Sequence, residues 1–405
     1  MDEKLWKNED YWVSSFNYLP EVTQGFTLPK KVIFHDVTLR DGEQSPGVVF
    51  RAQEKERIAK KMDEVGVDRI EVALPAVSDE DQEAVRRVVA LGLDAQIWVL
   101  SRGMESDVKL ALELGVHGII LELPVGLPRL TYQFPDWNEQ DVLNKASHWA
   151  DYAKERGLEV VLFPMDSTRS DPAFFDRVLE QVGSRPSVDG VALVDTTGSL
   201  TPQATTYMVR HMQEITGKRL EMHTHTDFGM GIASSMAALA AGAEVVHVSV
   251  GGLGERTGNT PLEEAAVTAK TLYGLDSNIK YEKLPELAKL VEEISGFRMA
   301  SNKPLVGRHS FTRESGMGVN LVKEQPLALF GVHPKFVGRQ AQYGLGKKSG
   351  MASISMKLED LQLPAASQAE QELILMAVKS RGIQKKGLVT DEEFLEIVKD
   401  ATAPG

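Results

Sequence analysis

Residues 32–47 read VIFHDVTLRDGEQSPG, and this stretch decides between two α/β folds that the chain could adopt. Its apolar, β-branched start predicts a buried strand over 32–38. The turn that follows, DGEQSPG, lacks the glycine-rich spacing with which an open, doubly wound sheet holds a dinucleotide. The stretch therefore favours a closed barrel over an open sheet.

Seven further apolar runs alternate with amphipathic stretches such as 52–65 and 104–115. Parallel strands joined by crossover helices give this alternation, and eight units over about 250 residues match a (β/α)8 TIM barrel in size. We predict an N-terminal extension over 1–30 and a barrel over 31–300. The predicted strands are 32–38, 69–74, 95–100, 117–123, 158–164, 190–196, 219–225 and 245–250.

The pattern changes after the eighth predicted strand. Residues 302–350 are rich in Gly, Pro, His and Arg, and helical patterns cover 282–294, 368–381 and 391–400. We therefore predict that residues 301–405 form a linker and a small, mainly helical subdomain, which could reach across a homodimer to a partner barrel.

Composition narrows the classes of partner and compartment. The net charge is −13, with no long basic run, which argues against nucleic acid or an anionic membrane as a partner and favours small-molecule substrates. The sequence has no cysteine, which excludes disulfides, thiolate metal sites and cysteine nucleophiles. The acidic, polar start and the lack of about 18 consecutive apolar residues predict a cytoplasmic protein that is neither exported nor membrane-spanning.

Two histidines at the end of the seventh predicted strand are candidate metal ligands. His223 and His225 are two residues apart, so both point to the same face of the strand. Asp41 ends the first strand, two strands away in a closed barrel, and its carboxylate could complete a site for Zn²⁺, Mn²⁺, Fe²⁺ or Co²⁺, or for Mg²⁺ with added oxygens. The alternative is that the histidines bond phosphates or each other.

Three neighbouring side chains each have two interpretations. Arg40 could orient Asp41, or could stabilise the oxygen of an enolate or alkoxide. Asn259 could be a fourth ligand or could cap a loop. Thr196 could bond a substrate carboxylate or only the backbone of a turn.

Four motifs in order resemble the DRE-TIM metallolyase superfamily, and most of all the 2-isopropylmalate, homocitrate and citramalate synthases. They are TLRDGEQ at 38–44, DTTG at 195–198, HTHTDFG at 223–229 and GERTGN at 254–259. The resemblance extends beyond the barrel through NKPLVG at 302–307, ESG at 314–316 and GKKSG at 346–350.

The resemblance implies a Claisen-type condensation that depends on a divalent metal, Mg²⁺, Mn²⁺ or Zn²⁺. In those synthases the metal holds a 2-oxo acid, and a base forms the enolate of an acyl-CoA, usually acetyl-CoA. The enolate attacks the ketone, and hydrolysis of the thioester gives a 2-hydroxy diacid and free CoA. By the same resemblance the metal ligands would be Asp41, His223, His225 and Asn259, and the substrate-binding residues Arg40, Gln44, Thr196 and Glu71.

The resemblance fails at the residues expected to transfer protons. Arg313 and Gly318 stand where the synthases have two histidines, and an arginine does not take up a proton at neutral pH. We therefore take Glu314 and His309, together with Arg40, as the catalytic candidates.

The substrate pocket also departs from the synthase pattern. Phe163 and Met165 replace a serine and a glutamate, and Glu122, Arg129 and Tyr132 are unlike the usual fourth strand. Two alternatives follow: a metal-dependent carbon–carbon lyase or aldolase, like hydroxymethylglutaryl-CoA lyase, and a catalytically impaired paralogue. The GERTGN loop favours the synthases, because the lyase loop carries a cysteine that this chain lacks.

Overall fold

The computed structural model describes residues 5–403, which group into two compact units. One unit spans 14–299 and the other combines 5–13 with 300–403. Among the described residues, 5–13 therefore group with the second unit and 14–30 with the first. The amide of His333 donates to the carbonyl of Asp10 over 2.7 Å, whereas the amide of Thr27 donates to the carbonyl of Ala240 over 2.8 Å.

The first unit is built on a closed barrel of eight parallel strands in sequential order, which confirms the predicted fold class. Closure pairs the first strand with the eighth, in the register Ile33 with Val245 and Asp36 with Val248. The observed strands lie within the predicted runs or end within two residues of them. They are β1 Ile33–Asp36, β2 Arg69–Glu71, β3 Gln96–Ser101, β4 Gly118–Pro124, β5 Glu159–Met165, β6 Gly190–Asp195, β7 Arg219–Thr224 and β8 Val245–Val248.

Crossover helices surround the barrel, and their ends follow local sequence signals. The side chain of Ser78 caps the start of α3 by accepting from the amide of Asp81, and Gly66 ends α2 with a φ of 92°. The helices of this unit are α1 Pro20–Thr23, α2 Ala52–Val65, α3 Asp79–Ala90, α4 Glu105–Leu114, α5 Glu139–Glu155, α6 Pro172–Val178, α7 Pro202–Thr216, α8 Gly231–Ala240, α9 Leu262–Tyr273 and α10 Leu284–Ser295.

The barrel interior has an apolar half and a charged half. Alternate residues of β3 to β6 form one apolar cluster: Trp98, Leu100, Ile120, Val161, Phe163, Ala192 and Val194. The other half carries buried ionisable side chains from β7, β8, β1 and β2: Glu221, His223, His247, His35, Arg69 and Glu71. The carboxylates and the arginine in this set need partners inside the barrel, because burial away from water is costly for an unpaired ion.

The second unit contains two short parallel strands, β9 Thr312–Arg313 and β10 Gln342–Tyr343, and four α-helices among its described residues. Helix α12, Met351–Asp360, was not predicted. The helices are α11 Leu321–Glu324, α12, α13 Gln368–Lys385 and α14 Asp391–Ala401. Their common core is Leu345, Ile354, Leu358, Ile374, Val378, Val389, Phe394 and Ile397. Between residues 5 and 403, no helix is both long and apolar enough to cross a membrane.

Candidate metal centre

The turn after β1 holds Arg40 and Asp41 at the carboxyl end of the barrel. The amides of Arg40, Asp41 and Gly42 all donate to the carbonyl of Val37, over 2.8 to 3.1 Å. The hydroxyl of Thr38 accepts from the amide of Val250 over 2.8 Å, which ties the turn to the chain after β8. The backbone thus fixes both functional side chains before any ligand binds.

The guanidinium of Arg40 joins two buried carboxylates. Its Nε donates to Oε1 of Glu71 over 2.5 Å, and its Nη1 donates to Oδ2 of Asp41 over 2.7 Å. Burial lowers the pKa of Arg40, but Glu71 and Asp41 outweigh that effect and hold the pKa above its ordinary value. The third nitrogen, Nη2, is buried without a hydrogen-bond partner and is therefore a donor available to a ligand.

His223, His225 and Asp41 converge as predicted from the spacing and the barrel order. All three are buried, and one potential ligand atom from each lies within 4.8 Å of the other two. Burial lowers the pKa of both histidines, and that of His223 falls well below 6.5. Both rings are therefore neutral at neutral pH, which is the form that binds a metal.

Asn259 completes one side of this group. Its amide nitrogen donates to Oδ1 of Asp41 over 3.0 Å and to the carbonyl of Leu253 over 3.2 Å, while its Oδ1 is buried without a partner. Gly254 allows this approach, because a Cβ there would lie 2.4 Å from the Asn259 amide nitrogen. With one ring nitrogen each from His223 and His225 and a carboxylate oxygen of Asp41 close together, the buried donor set fits a divalent cation bound by nitrogen and oxygen.

A cavity of about 440 Å³ opens onto these residues. Thr196 lines it, and its hydroxyl accepts from the amide of Asp166 over 2.9 Å, which leaves its own proton available for a ligand. Gln44 also faces the cavity. The lining residues are Arg40, Asp41, Gln44, Leu100, Glu122, Arg129, Phe163, Met165, Val194, Thr196, His223, His225 and Glu255.

Glu71 does not line this cavity, contrary to its predicted contact with substrate. Its Oε1 accepts from Arg40 Nε over 2.5 Å, its Oε2 lies 3.0 Å from His35 Nε2, and its side chain is fully buried. Burial raises the pKa of Glu71, but Arg40 and His35 together lower it to about 2. The geometry fits an anchor for Arg40 rather than a residue that contacts substrate.

His309 and Glu314 belong to the second unit. They line a different cavity, of about 1160 Å³, with Arg308, Arg313 and Lys347 among its other residues. Glu314 accepts from the amide of Lys348 over 3.2 Å and from its Nζ over 3.4 Å. His309 is exposed.

A second buried cluster lies inside the barrel and was missed from the sequence. The rings of His35 and His247 stack with their centroids 4.3 Å apart, and His247 Nε2 lies 2.9 Å from Oε2 of Glu221. Glu221 also accepts from Arg69 over 2.9 Å. The alternating spacing of these residues along their strands was a signal that they face inward, although a single strand does not reveal its partners across the barrel.

Comparison with known proteins assigns the family. A family model described as HMGL-like matches residues 31–291. The chain belongs to the HMGL-like family. Homocitrate synthase AksA of Methanopyrus kandleri is 37% identical over 383 residues, which cover 95% of this chain and 96% of that protein. (R)-citramalate synthase CimA of Methanocaldococcus jannaschii is 36% identical, covering 91% of this chain and 74% of that protein.

The HMGL-like barrel also matches a solved structure. The crystal structure of hydroxymethylglutaryl-CoA lyase from Pseudomonas aeruginosa superimposes with a TM-score of 0.61 at 21% identity, covering 70% of this chain and 98% of that one. At that identity the likeness concerns the fold alone. The two relatives described above, at 37% and 36% identity, are named as synthases, in agreement with the resemblance found in the motifs.

Proposed function

We propose that this member of the HMGL-like family condenses an acyl-CoA with a 2-oxo acid to give a 2-hydroxy diacid and free CoA. Acetyl-CoA is the first candidate for the acyl donor. The observation that carries the proposal is the shared cavity of Asp41, His223 and His225 with the unpartnered Nη2 of Arg40. Relatives named as homocitrate and citramalate synthases over most of their length support the same reaction class.

The roles of the cavity residues follow from their donors and acceptors. Asp41, His223, His225 and Asn259 would hold the divalent ion, which polarises the ketone and carboxylate of a bound 2-oxo acid. Arg40 would donate from Nη2 to the ketone oxygen as negative charge develops there. Thr196 would donate its hydroxyl proton to the substrate carboxylate, and Gln44 would add an amide donor at the cavity wall.

The identity of the metal is also part of this proposal. The donor set of two imidazoles, a carboxylate and an amide oxygen suits Zn²⁺ and Mn²⁺, and accepts Mg²⁺ where substrate oxygens complete the shell. We also retain the cytoplasmic location, the homodimer and the acid–base roles of His309 and Glu314 as predictions from the sequence.

Release of CoA thiol tests the reaction directly. Purified protein is incubated with acetyl-CoA and one 2-oxo acid at a time, drawn from pyruvate, 2-oxoisovalerate and 2-oxoglutarate, with Mg²⁺, Mn²⁺ or Zn²⁺ or with a chelator. We expect metal-dependent thiol release with at least one 2-oxo acid and none in the chelator. Cleavage of a 2-hydroxy acid or its CoA ester, with no thiol release from any 2-oxo acid, would instead establish the lyase alternative.

A further inference from the structure

The condensation requires a group that removes a proton from the acyl-CoA, and the histidine pattern of the synthases does not supply one here. Arg313 occupies one of those positions, and its guanidinium donates to the carbonyl of Met317 over 3.0 and 3.3 Å. Because an arginine keeps its proton, the base must be another residue that reaches the acyl-CoA.

Glu122 is a cavity carboxylate with no role assigned so far. It lies near the end of β4, where it pairs in register with Phe163 of β5, and its side chain lines the cavity that contains the candidate metal ligands. Within residues 5–403 its carboxylate makes no hydrogen bond and no ion pair. Glu71, Asp41 and Glu221, by contrast, are each held by an arginine.

Glu122 and the candidate metal ligands come from different parts of the barrel wall and line the same cavity. In the closed strand order, β4 is three strands from β1 and three from β7, so Glu122 projects from the wall opposite Asp41 and His223. A 2-oxo acid held at the metal would expose the far face of its ketone toward that wall. The methyl group of an acyl-CoA bound in the intervening space would therefore lie between the ketone carbon of the 2-oxo acid and Glu122.

The electrostatic surroundings of Glu122 are suited to accepting a proton. Burial raises its pKa, and Glu71 and Asp41 raise it further, while Arg40 and Arg129 act in the opposite direction. A carboxylate with a raised pKa is a stronger base than an exposed one, and unpartnered, perturbed carboxylates in a cleft are frequent general bases.

We propose that Glu122 is the base that removes a proton from the carbon next to the acyl-CoA carbonyl. The C–H electron pair forms the enolate, the enolate carbon bonds to the ketone carbon, and the ketone π pair becomes an alkoxide that Glu122 or solvent reprotonates. Water then cleaves the C–S bond, and CoA leaves as the thiol while one proton passes to solvent. This assignment rests on the proposed condensation.

Glu122→Gln tests the assignment, because the amide keeps the shape but cannot take the proton. We expect kcat for thiol release to fall by about 10²- to 10⁴-fold, the usual range for loss of a general base, with bound metal unchanged. Glu122→Asp should recover part of kcat. With [²H₃]acetyl-CoA, the Glu122→Asp protein should show a larger kinetic isotope effect than the unchanged protein, because slower proton transfer then limits more of the rate. The matched control is Glu113→Gln, on the exposed face of α4.

The measurements on these variants distinguish a base at Glu122 from a residue that only selects the substrate. A folded Glu122→Gln protein that keeps kcat and changes only KM or the preferred 2-oxo acid would overturn it, and would make Glu122 a specificity residue. If Glu122→Gln does not fold, Glu122→Asp decides: an isotope effect equal to that of the unchanged protein contradicts the base assignment. Failure of the unchanged protein to release thiol with any 2-oxo acid would overturn the condensation itself, and the base assignment with it.

Discussion

Nη1 of Arg40 lies 2.7 Å from Oδ2 of Asp41, so the guanidinium proposed to polarise the substrate is bonded to a carboxylate proposed to bind the metal. The same guanidinium reaches Glu71 through Nε over 2.5 Å. These two contacts use Nε and Nη1 and hold the planar guanidinium in place. The direction of the unpartnered Nη2 is therefore set before a substrate binds.

Arg40→Lys should lower kcat/KM for thiol release by about 10²- to 10³-fold, the range seen when one donor to a developing oxyanion is removed. A lysine ammonium is a point charge and cannot reproduce the planar fork that joins Glu71 to Asp41. Arg102→Lys is the control, since Arg102 also pairs with a carboxylate, Asp107, but does not line the cavity. Equal activity of the two variants would exclude the proposed role of Arg40.

His223→Ala and His225→Ala should each reduce bound metal and thiol release together, because each removes one of the convergent ligand atoms. Metal per chain is measured by elemental analysis after dialysis against the ion. His211→Ala serves as the control, because its ring pairs with Asp176 outside the cavity. Full activity of a chelated, metal-free His223→Ala protein would contradict the metal assignment.

Asp36 should make the stability of the metal-free protein depend on pH. The pKa of Asp36 is raised from 3.8 to about 7, mainly by burial. Hydrogen bonds from Thr38 lower this pKa, whereas the charges of Glu263 and Glu71 raise it further. The folded state therefore holds a proton that the unfolded state has released. This contribution is complete below pH 3.8 and is lost as the pH rises through 7.

Urea unfolding at several pH values, with a chelator present, measures this effect. At about 1.4 kcal/mol per unit of pKa shift, the contribution is on the order of 4 kcal/mol. Asp36→Asn should flatten the decline in the free energy of unfolding between pH 5 and pH 8, whereas Asp94→Asn, at an exposed position, should retain it. Identical profiles for the unchanged protein and Asp36→Asn would show that Asp36 is ionised throughout.

Much of the barrel could be predicted from the sequence, because its strands are buried on both faces and read as short apolar runs. The convergence of His223, His225 and Asp41 followed from strand periodicity and ring closure together. Helix α12 was missed because Ile354 and Leu358 are its only large buried apolar residues and the helix follows an irregular, glycine-rich segment. Its residues Ile354, Met356 and Leu358 are spaced two apart, which is the period of a strand and not of a helix.

The charged half of the barrel was less predictable, for a physical reason. A strand pattern shows which residues point inward, but not how far each side chain reaches or what faces it from another strand. Glu71 was therefore expected at the substrate, although Arg40 and His35 occupy both of its oxygens. The stacking of His35 on His247 depends on the register between the neighbouring strands β1 and β8, in which the two residues are paired.

Asn259→Asp offers the sharpest test of how the ligand group is assembled. In the structure the Asn259 amide nitrogen donates to Oδ1 of Asp41 and to the carbonyl of Leu253. Replacing that donor by a carboxylate oxygen sets acceptor against acceptor and places two negative charges about one hydrogen-bond length apart. The metal-free variant should therefore unfold at a lower temperature than the unchanged protein.

A bound divalent cation should reverse the difference, because it neutralises both carboxylates and the added charge strengthens binding. The measurement is the melting temperature in chelator and at increasing Mn²⁺, where stabilisation grows with ion concentration relative to the dissociation constant. Asn302→Asp, at an exposed position of the second unit, should leave both curves unchanged. If metal-free Asn259→Asp melts at the same temperature as the unchanged protein, the amide oxygen rather than the nitrogen faces Asp41, and Asn259 then has no free oxygen to offer a metal.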